Sequence, residues 1–210
     1  MAPLTVEIWS DVVCPWCYIG KRRFEAELTE FGHDVEYTWR SFELDPGAPP
    51  VREHSAAEHL AGKYGMSVEQ AEASHAQMTE LAAQEGLEYH LDQARGGNSF
   101  DAHRLMHLAA ADGRQDEAKE RLMRAYFTEG VAIGDRDALV ALATDIRLDP
   151  DEARAVLDGD GYADAVREDE MLAQRIGIQG VPFFVLNRRY GVSGAQKPEI
   201  LVHALEQACA

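Results

Sequence analysis

The chain has 210 residues, 46% of them hydrophobic, which is enough to bury a sizeable core and too apolar for a disordered protein. Its 20 Lys and Arg stand against 37 Asp and Glu, a formal charge of -17, which repels phosphate backbones and anionic lipid and so argues against nucleic-acid or membrane partners. Strand-like sequence begins by Leu4, and no later run approaches the roughly 18 apolar residues of a membrane span, so the expectation is a cytoplasmic protein.

Leu4 to Ser10 alternates, with Leu4, Val6 and Ile8 on one face and Thr5, Glu7 and Trp9 on the other, which predicts a strand. Pro15 to Phe31 predicts a helix with Phe24, Leu28 and Phe31 inward, Lys21, Arg22, Glu25 and Glu27 between them, and Gly32 as its stop. Asp34 to Leu44, rich in β-branched and aromatic residues, predicts a second strand, closed by Asp45-Pro46-Gly47 and Pro49-Pro50.

From about 54 to 176 the composition turns to Ala, Glu, Leu, Met and Arg and predicts a largely helical insertion. Helices are expected over 54–64, 67–85, 99–111, 115–128, 136–146 and 150–157, with Ser67, Ser99, Asp135 and Asp149 as N-caps and 87–97 as a loop. A further helix spans 162–176. Phe183 to Leu186, the turn Asn187-Arg188 and Arg189 to Ser193 predict a hairpin, and Lys197 to Ala208 a closing helix with Ile200, Leu201, Ala204 and Leu205 inward.

The chemistry centres on Cys14-Pro15-Trp16-Cys17, between the first strand and the first helix. Three cysteines are too few for a disulfide scaffold, and in a reducing compartment a C-x-x-C is redox-active or metal-binding. Pro15 suits the first helical position, which leaves Cys14 facing unpaired N–H groups at the positive end of the helix. That placement predicts a thiol pKa lowered from about 8.5 towards neutrality, with Cys17 one turn deeper as the resolving thiol. Zinc would need another Cys/His pair, yet only Cys209 remains, so no metal and no cofactor are expected. His103 and His107 have ligand spacing, but no acid lies between them, and they read as packing or surface residues. Met106, Leu122, Met123, Tyr126 and Phe127 read as bundle core.

The C-x-x-C after the first strand, Gly180-Val181-Pro182 before a hairpin, and the final helix resemble an α/β thioredoxin fold (β-α-β … β-β-α). The large all-helical insertion makes it DsbA-like, with a thioredoxin-like domain at 1–50 and 165–210 and the insertion at 51–164. The runs Ser10 to Gly20, Asn98 to Leu105 and Gly180 to Phe184 are similar to the FrnE-like branch of the DsbA family. The resemblance implies a thiol-disulfide oxidoreductase or protein disulfide isomerase, a cis Val181-Pro182 bond opposite Cys14, and pairing of Val181 with an extended polypeptide; glutathione is another implied partner. It also implies groove-shaping roles for Asn98 and Arg104. Pro15-Trp16 lacks the histidine of the strongest oxidants in the family, so a less oxidising protein is expected. Asp11 reads as a proton carrier or as a charge that raises the Cys14 pKa by repulsion, and equally as a solvated loop carboxylate. Two other classes stay open. One is a 2-hydroxychromene-2-carboxylate isomerase or kappa-type glutathione transferase, whose members resemble the chain but usually carry serine in place of Cys14. The other is a chaperone-like binding protein or accessory protein in secondary metabolism.

Overall fold

The computed structural model describes residues 3–209. Among them the order is β1 (Leu4–Ser10), α1 (Pro15–Glu30), β2 (Val35–Ser41), α2 (Ala56–Tyr64), α3 (Val68–Gln84), α4 (Phe100–Ala111), α5 (Gln115–Phe127), α6 (Arg136–Asp145), α7 (Pro150–Asp158), α8 (Ala163–Arg175), β3 (Phe183–Leu186), β4 (Tyr190–Ser193) and α9 (Pro198–Cys209). The chain forms two compact units, Met1–Leu44 with Ala165–Ala210, and Asp45–Asp164. Residues 45–50, grouped by sequence with the first unit, are tied into the helical one by an Arg52–Asp45 ion pair and by Asn98, whose Nδ2 donates to the Pro46 carbonyl and whose N–H donates to that of Pro49.

The first unit is a four-stranded sheet in the order β2-β1-β3-β4. β1 and β2 run parallel, joined by α1, while β3 is antiparallel to both β1 and β4. The even residues of β1 look towards α1, where Phe24 packs on Tyr37 and Phe184 at 5.5 Å each. β2 ends at Ser41, short of the expected Leu44, because carboxylates replace its ladder partners: Glu43 donates its N–H to Glu170 and Leu44 donates its own to Asp11.

The other face of β1 is also buried, which its alternating pattern does not reveal. Trp9 is sealed against Ala173 and Ile178, and its indole N–H donates to the Asp169 carbonyl at 2.9 Å. Around it lies a charged cluster. Arg40 donates to Glu7 through Nε at 3.1 Å and to Asp169 through Nη1 at 2.9 Å, Arg188 donates to Glu7 at 3.0 Å, and Asp169 also accepts the Ser41 N–H at 2.9 Å. Together these contacts fasten α8 to the sheet.

On α9 the buried positions are Leu201, Leu205 and Ala208, spaced four and three; Ile200, expected inward, lies about a quarter-turn away from that stripe and is 47% exposed. In the helical unit Ser67, Asp135 and Asp149 cap their helices as expected. Ser99 makes no side-chain cap; Asn98 Oδ1 instead accepts the Phe100 N–H at 2.8 Å. Ser55 and Glu58 form a reciprocal capping box, a pattern legible in Ser-Ala-Ala-Glu but not in the expected boundary. Met106, Leu122, Met123, Tyr126 and Phe127 are all buried, and Tyr89 from the 87–97 loop stacks on Phe127 at 4.5 Å.

Burial pushes the Glu7 carboxyl up, but Arg40 and Arg188 outweigh it and leave it below the usual value. A depressed folded-state pKa gives stability that is present above the unfolded value of about 4.3 and is lost as pH falls through the folded value. Thermal melts from about pH 5 to about pH 3 should therefore show a smaller acid loss for Glu7→Gln than for wild type. Identical acid slopes would contradict the role given to this cluster.

Candidate active site

The turn between β1 and α1 is built so that Cys14 becomes the N-cap of the helix. Its backbone is extended (φ -90°, ψ 113°), Pro15 occupies the first turn, and the Cys14 N–H donates to the Asp11 carbonyl at 3.3 Å. The Cys17 N–H donates to the Cys14 carbonyl at 3.0 Å, which brings the second thiol in below the first. No disulfide joins them. Cys14 is 4% exposed and Cys17 fully buried, whereas Trp16 projects outward at 41% exposure.

Opposite stands the Val181-Pro182 bond, which is cis, as the resemblance implied. The Cys14 thiol donates to the Val181 carbonyl at 3.6 Å. Gly20 permits this approach. A Cβ built there would lie 3.0 Å from Pro182 Cγ and 3.5 Å from Ala195 Cβ. Glycine within a helical pattern is a signal of close packing, and the sequence reading assigned Gly20 no such role. One turn after Cys17, Lys21, expected among the outward polar residues, is instead buried over Trp39 and paired with Glu25.

Asp11 is fully buried, which removes its reading as a solvated loop carboxylate. Oδ2 accepts the Leu44 N–H at 2.8 Å and Oδ1 accepts that of Val13 at 3.4 Å, so the carboxylate braces the cysteine turn against the end of β2. The expected fall in the Cys14 pKa does not occur. Its thiol is pushed well above the ordinary cysteine value, chiefly by the hydrogen bond with Cys17, then by burial and the neighbouring Cys17 charge, and least by Asp11. The Cys17 backbone N–H, in the first turn of α1, works the other way and lowers the pKa, but these effects outweigh it while the thiol turns to the Val181 carbonyl.

Cys14, Pro15, Trp16, Cys17, Asp11, Val181 and Pro182 thus belong to one unit, and Asn98 and Arg104 to the other. Arg104, 2% exposed, donates to the carbonyls of Val156, Gly159 and Gly161 and to Asp101, clasping the C-terminal end of α7, where a cation complements the helix dipole. Sequence spacing carries no sign of that clasp. His103 is buried and His107 stacks on Tyr162 at 6.4 Å. Cys209 is exposed.

A dithiol at a helix N-terminus facing a cis proline, on this sheet order, is the architecture of a DsbA-like thioredoxin fold. The DSBA-like thioredoxin domain family matches residues 5–206, and the chain belongs to that family of thiol oxidoreductases. A probable DsbA oxidoreductase from Streptomyces coelicolor is 47% identical, with a TM-score of 0.94 over 98% of this chain and 90% of its own. The cytosolic disulfide reductase DsbM from Pseudomonas aeruginosa, in its structure with GSH, is 18% identical, with a TM-score of 0.69 over 98% of each chain. A 2-hydroxychromene-2-carboxylate isomerase is 14% identical, with a TM-score of 0.73 over 98% of this chain and 96% of its own. At such identities the last two share the fold. Among the described residues no helix is long and apolar enough to cross a membrane.

Two predictions follow from this geometry. Because the thiolate is the nucleophile, the rate of Cys14 attack on a model disulfide should climb about tenfold per pH unit from about pH 6 to about pH 8; a plateau already reached at the acid end would contradict the raised thiol pKa. Gly20→Ala should cost about 1–3 kcal/mol by overpacking against Pro182, read in urea melts, and should slow exchange several-fold. An unperturbed variant would show that α1 does not need the close approach.

Proposed function

We propose that the protein is a cytoplasmic thiol-disulfide oxidoreductase that exchanges or isomerises disulfides through Cys14 and Cys17. The observation that carries this reading is the Cys14 thiol at the head of α1, 3.6 Å from the Val181 carbonyl and beside a second thiol. The Cys14 sulfur, once deprotonated, attacks one sulfur of a substrate disulfide. A bond forms between Cys14 and that sulfur, the substrate S–S bond breaks, and the expelled thiolate takes up the proton. Cys17 then attacks Cys14, closes the Cys14-Cys17 disulfide and releases the second substrate thiol. The substrate gains two electrons and the protein loses two; a thiol such as glutathione returns them by the reverse steps. In isomerisation a substrate thiol, rather than Cys17, resolves the mixed disulfide.

In this reading the main chain at Val181, next to the cis proline, pairs with an extended polypeptide across Cys14. Exposed Trp16 supplies an apolar contact beside it. Asp11 serves as the proton carrier for the dithiol, and Asn98 and Arg104 act through the shape of the helical unit. The raised Cys14 pKa and the Pro15-Trp16 pair support reduction or isomerisation over strong oxidation, because a strong oxidant is one whose reduced form is stabilised as thiolate. The second thiol at Cys17 favours exchange over the isomerase chemistry of the 2-hydroxychromene-2-carboxylate relative.

Cys17→Ser removes the resolving nucleophile, so mixed disulfides with oxidised glutathione or a reduced-and-reoxidised protein substrate should accumulate on Cys14 and be visible by mass spectrometry. With Cys209→Ser in the background to remove the exposed third thiol, they should vanish in Cys14→Ser, Cys17→Ser. Failure to trap any adduct, with no exchange by the wild-type dithiol, would remove the proposal.

A further inference from the structure

Lys21 follows Cys17 by four residues, so the two side chains leave one face of α1 a single turn apart. Both are sealed from solvent, at 1% and 0% exposure. The packing of α1 on the sheet fixes what lies beneath them. Phe24 meets Tyr37 at 5.5 Å, and Lys21 Nζ stands 5.9 Å from the centre of the Trp39 ring. Helix and strands therefore run in opposite directions, and one turn towards the head of α1 corresponds to two residues onward in the sheet. There Ser10 and Ser41 stand opposite each other in register. Ser10 is fully buried, and its hydroxyl has no hydrogen-bond partner among the described residues.

The floor beneath the resolving thiol is thus polar within an otherwise apolar core. A leucine at position 21 would pack on Trp39 without the desolvation cost of a buried ammonium. The ammonium is paired with Glu25, whose carboxylate is 29% exposed and also accepts from Arg22 at 2.8 Å, linking the buried charge to the surface.

We propose that Lys21 is a positioning residue for the resolving step, its ammonium holding the Cys17 thiolate across one helical turn while Glu25 sets how much of that charge is available. The inference rests on the exchange reading above. In the step concerned, Cys17 gives its proton to Asp11, the carrier assigned above, its sulfur bonds to Cys14, the bond from Cys14 to the substrate sulfur breaks, and the departing thiolate is protonated in turn. Of the titratable and charged groups around this pair, Cys14 interacts with Cys17 and itself feels Asp11, while Glu25 pairs with Lys21 and with Arg22, which lies over Tyr18. The sheet contributes Ser10, Ser41, Tyr37 and Trp39, whereas Glu7, Arg40 and Asp169 lie on its opposite face.

The test uses the full chain with Cys209→Ser, reduced and mixed with the chromogenic disulfide DTNB, which releases one coloured thiolate when Cys14 attacks and a second when Cys17 resolves. Lys21→Met should slow the second phase about tenfold near neutral pH and shift its pH midpoint up by about one unit. Glu25→Gln, which removes the counter-charge from Lys21, should shift the midpoint down. A purely structural role gives no reason for shifts of opposite sign. A Lys21→Met profile that overlays wild type, or a Glu25→Gln profile that is unchanged or moves up, overturns the inference; should Lys21→Met fail to fold, the Glu25→Gln direction decides alone. A second phase present in wild type but insensitive to both changes removes this inference and leaves the exchange reading standing. Its absence in wild type removes both.

Discussion

Everything in the thioredoxin-like unit depends on how closely the head of α1 lies against the segment from Val181 to Gln196. Three contacts make that clamp. The Cys14 thiol meets the Val181 carbonyl, Gly20 leaves room for the Pro182 ring, and Arg23 donates to the Ala195 carbonyl at 2.7 Å. The clamp needs β3 beside β1, which the sheet order supplies, and a helix whose inward face carries no side chain at position 20. Under those conditions two thiols and a main-chain acceptor meet in one place with little freedom to reorganise, which is the arrangement that chemistry at a fixed sulfur requires.

The opposite face of the sheet holds the clamp from behind. Trp9, Ala173 and Ile178 form the apolar part of that contact, with Val181 and Phe183 packed against it. Around them Arg40 joins Glu7 to Asp169, and Arg167 joins Glu43 to Glu170. These ion pairs bind α8 to β1 and β2, and α8 leads directly into the turn that presents Pro182. The electrostatics at the dithiol itself run against a strongly acidic thiol. The hydrogen bond with Cys17, burial, the Cys17 charge and Asp11 together raise the Cys14 pKa, against an opposing pull from the Cys17 backbone N–H.

Much of this was legible in the sequence. The C-x-x-C spacing, the proline at the helix start and the existence of β1 follow from local rules, whereas the cis Val181-Pro182 bond opposite Cys14 was implied by the family resemblance, and the structure has each of them. What escaped depended on partners distant in the chain. Trp9 and Glu7 look like a solvent face of β1 until α8 covers them, and Lys21 looks like a surface residue until Trp39 lies beneath it. Gly20 has a reason to be glycine only once Pro182 is opposite. The Cys14 ionisation was misjudged because a helix-end argument considers one sulfur at a time, whereas the structure sets two sulfurs and a buried carboxylate together. Arg104 stood out by its motif, but its bonds to the carbonyls ending α7 required the folded helical unit.

The central claim is that Cys14 and Cys17 form a reversible two-electron couple whose reduced form gains little from thiolate stabilisation. Its most direct measurement is the equilibrium of the couple against defined ratios of reduced and oxidised glutathione, read by alkylation of the thiols and mass. The account predicts full, reversible interconversion with a potential well below the roughly -120 mV of DsbA, towards the roughly -270 mV of thioredoxin. A couple as oxidising as DsbA, or cysteines that never close a disulfide with each other, would contradict it.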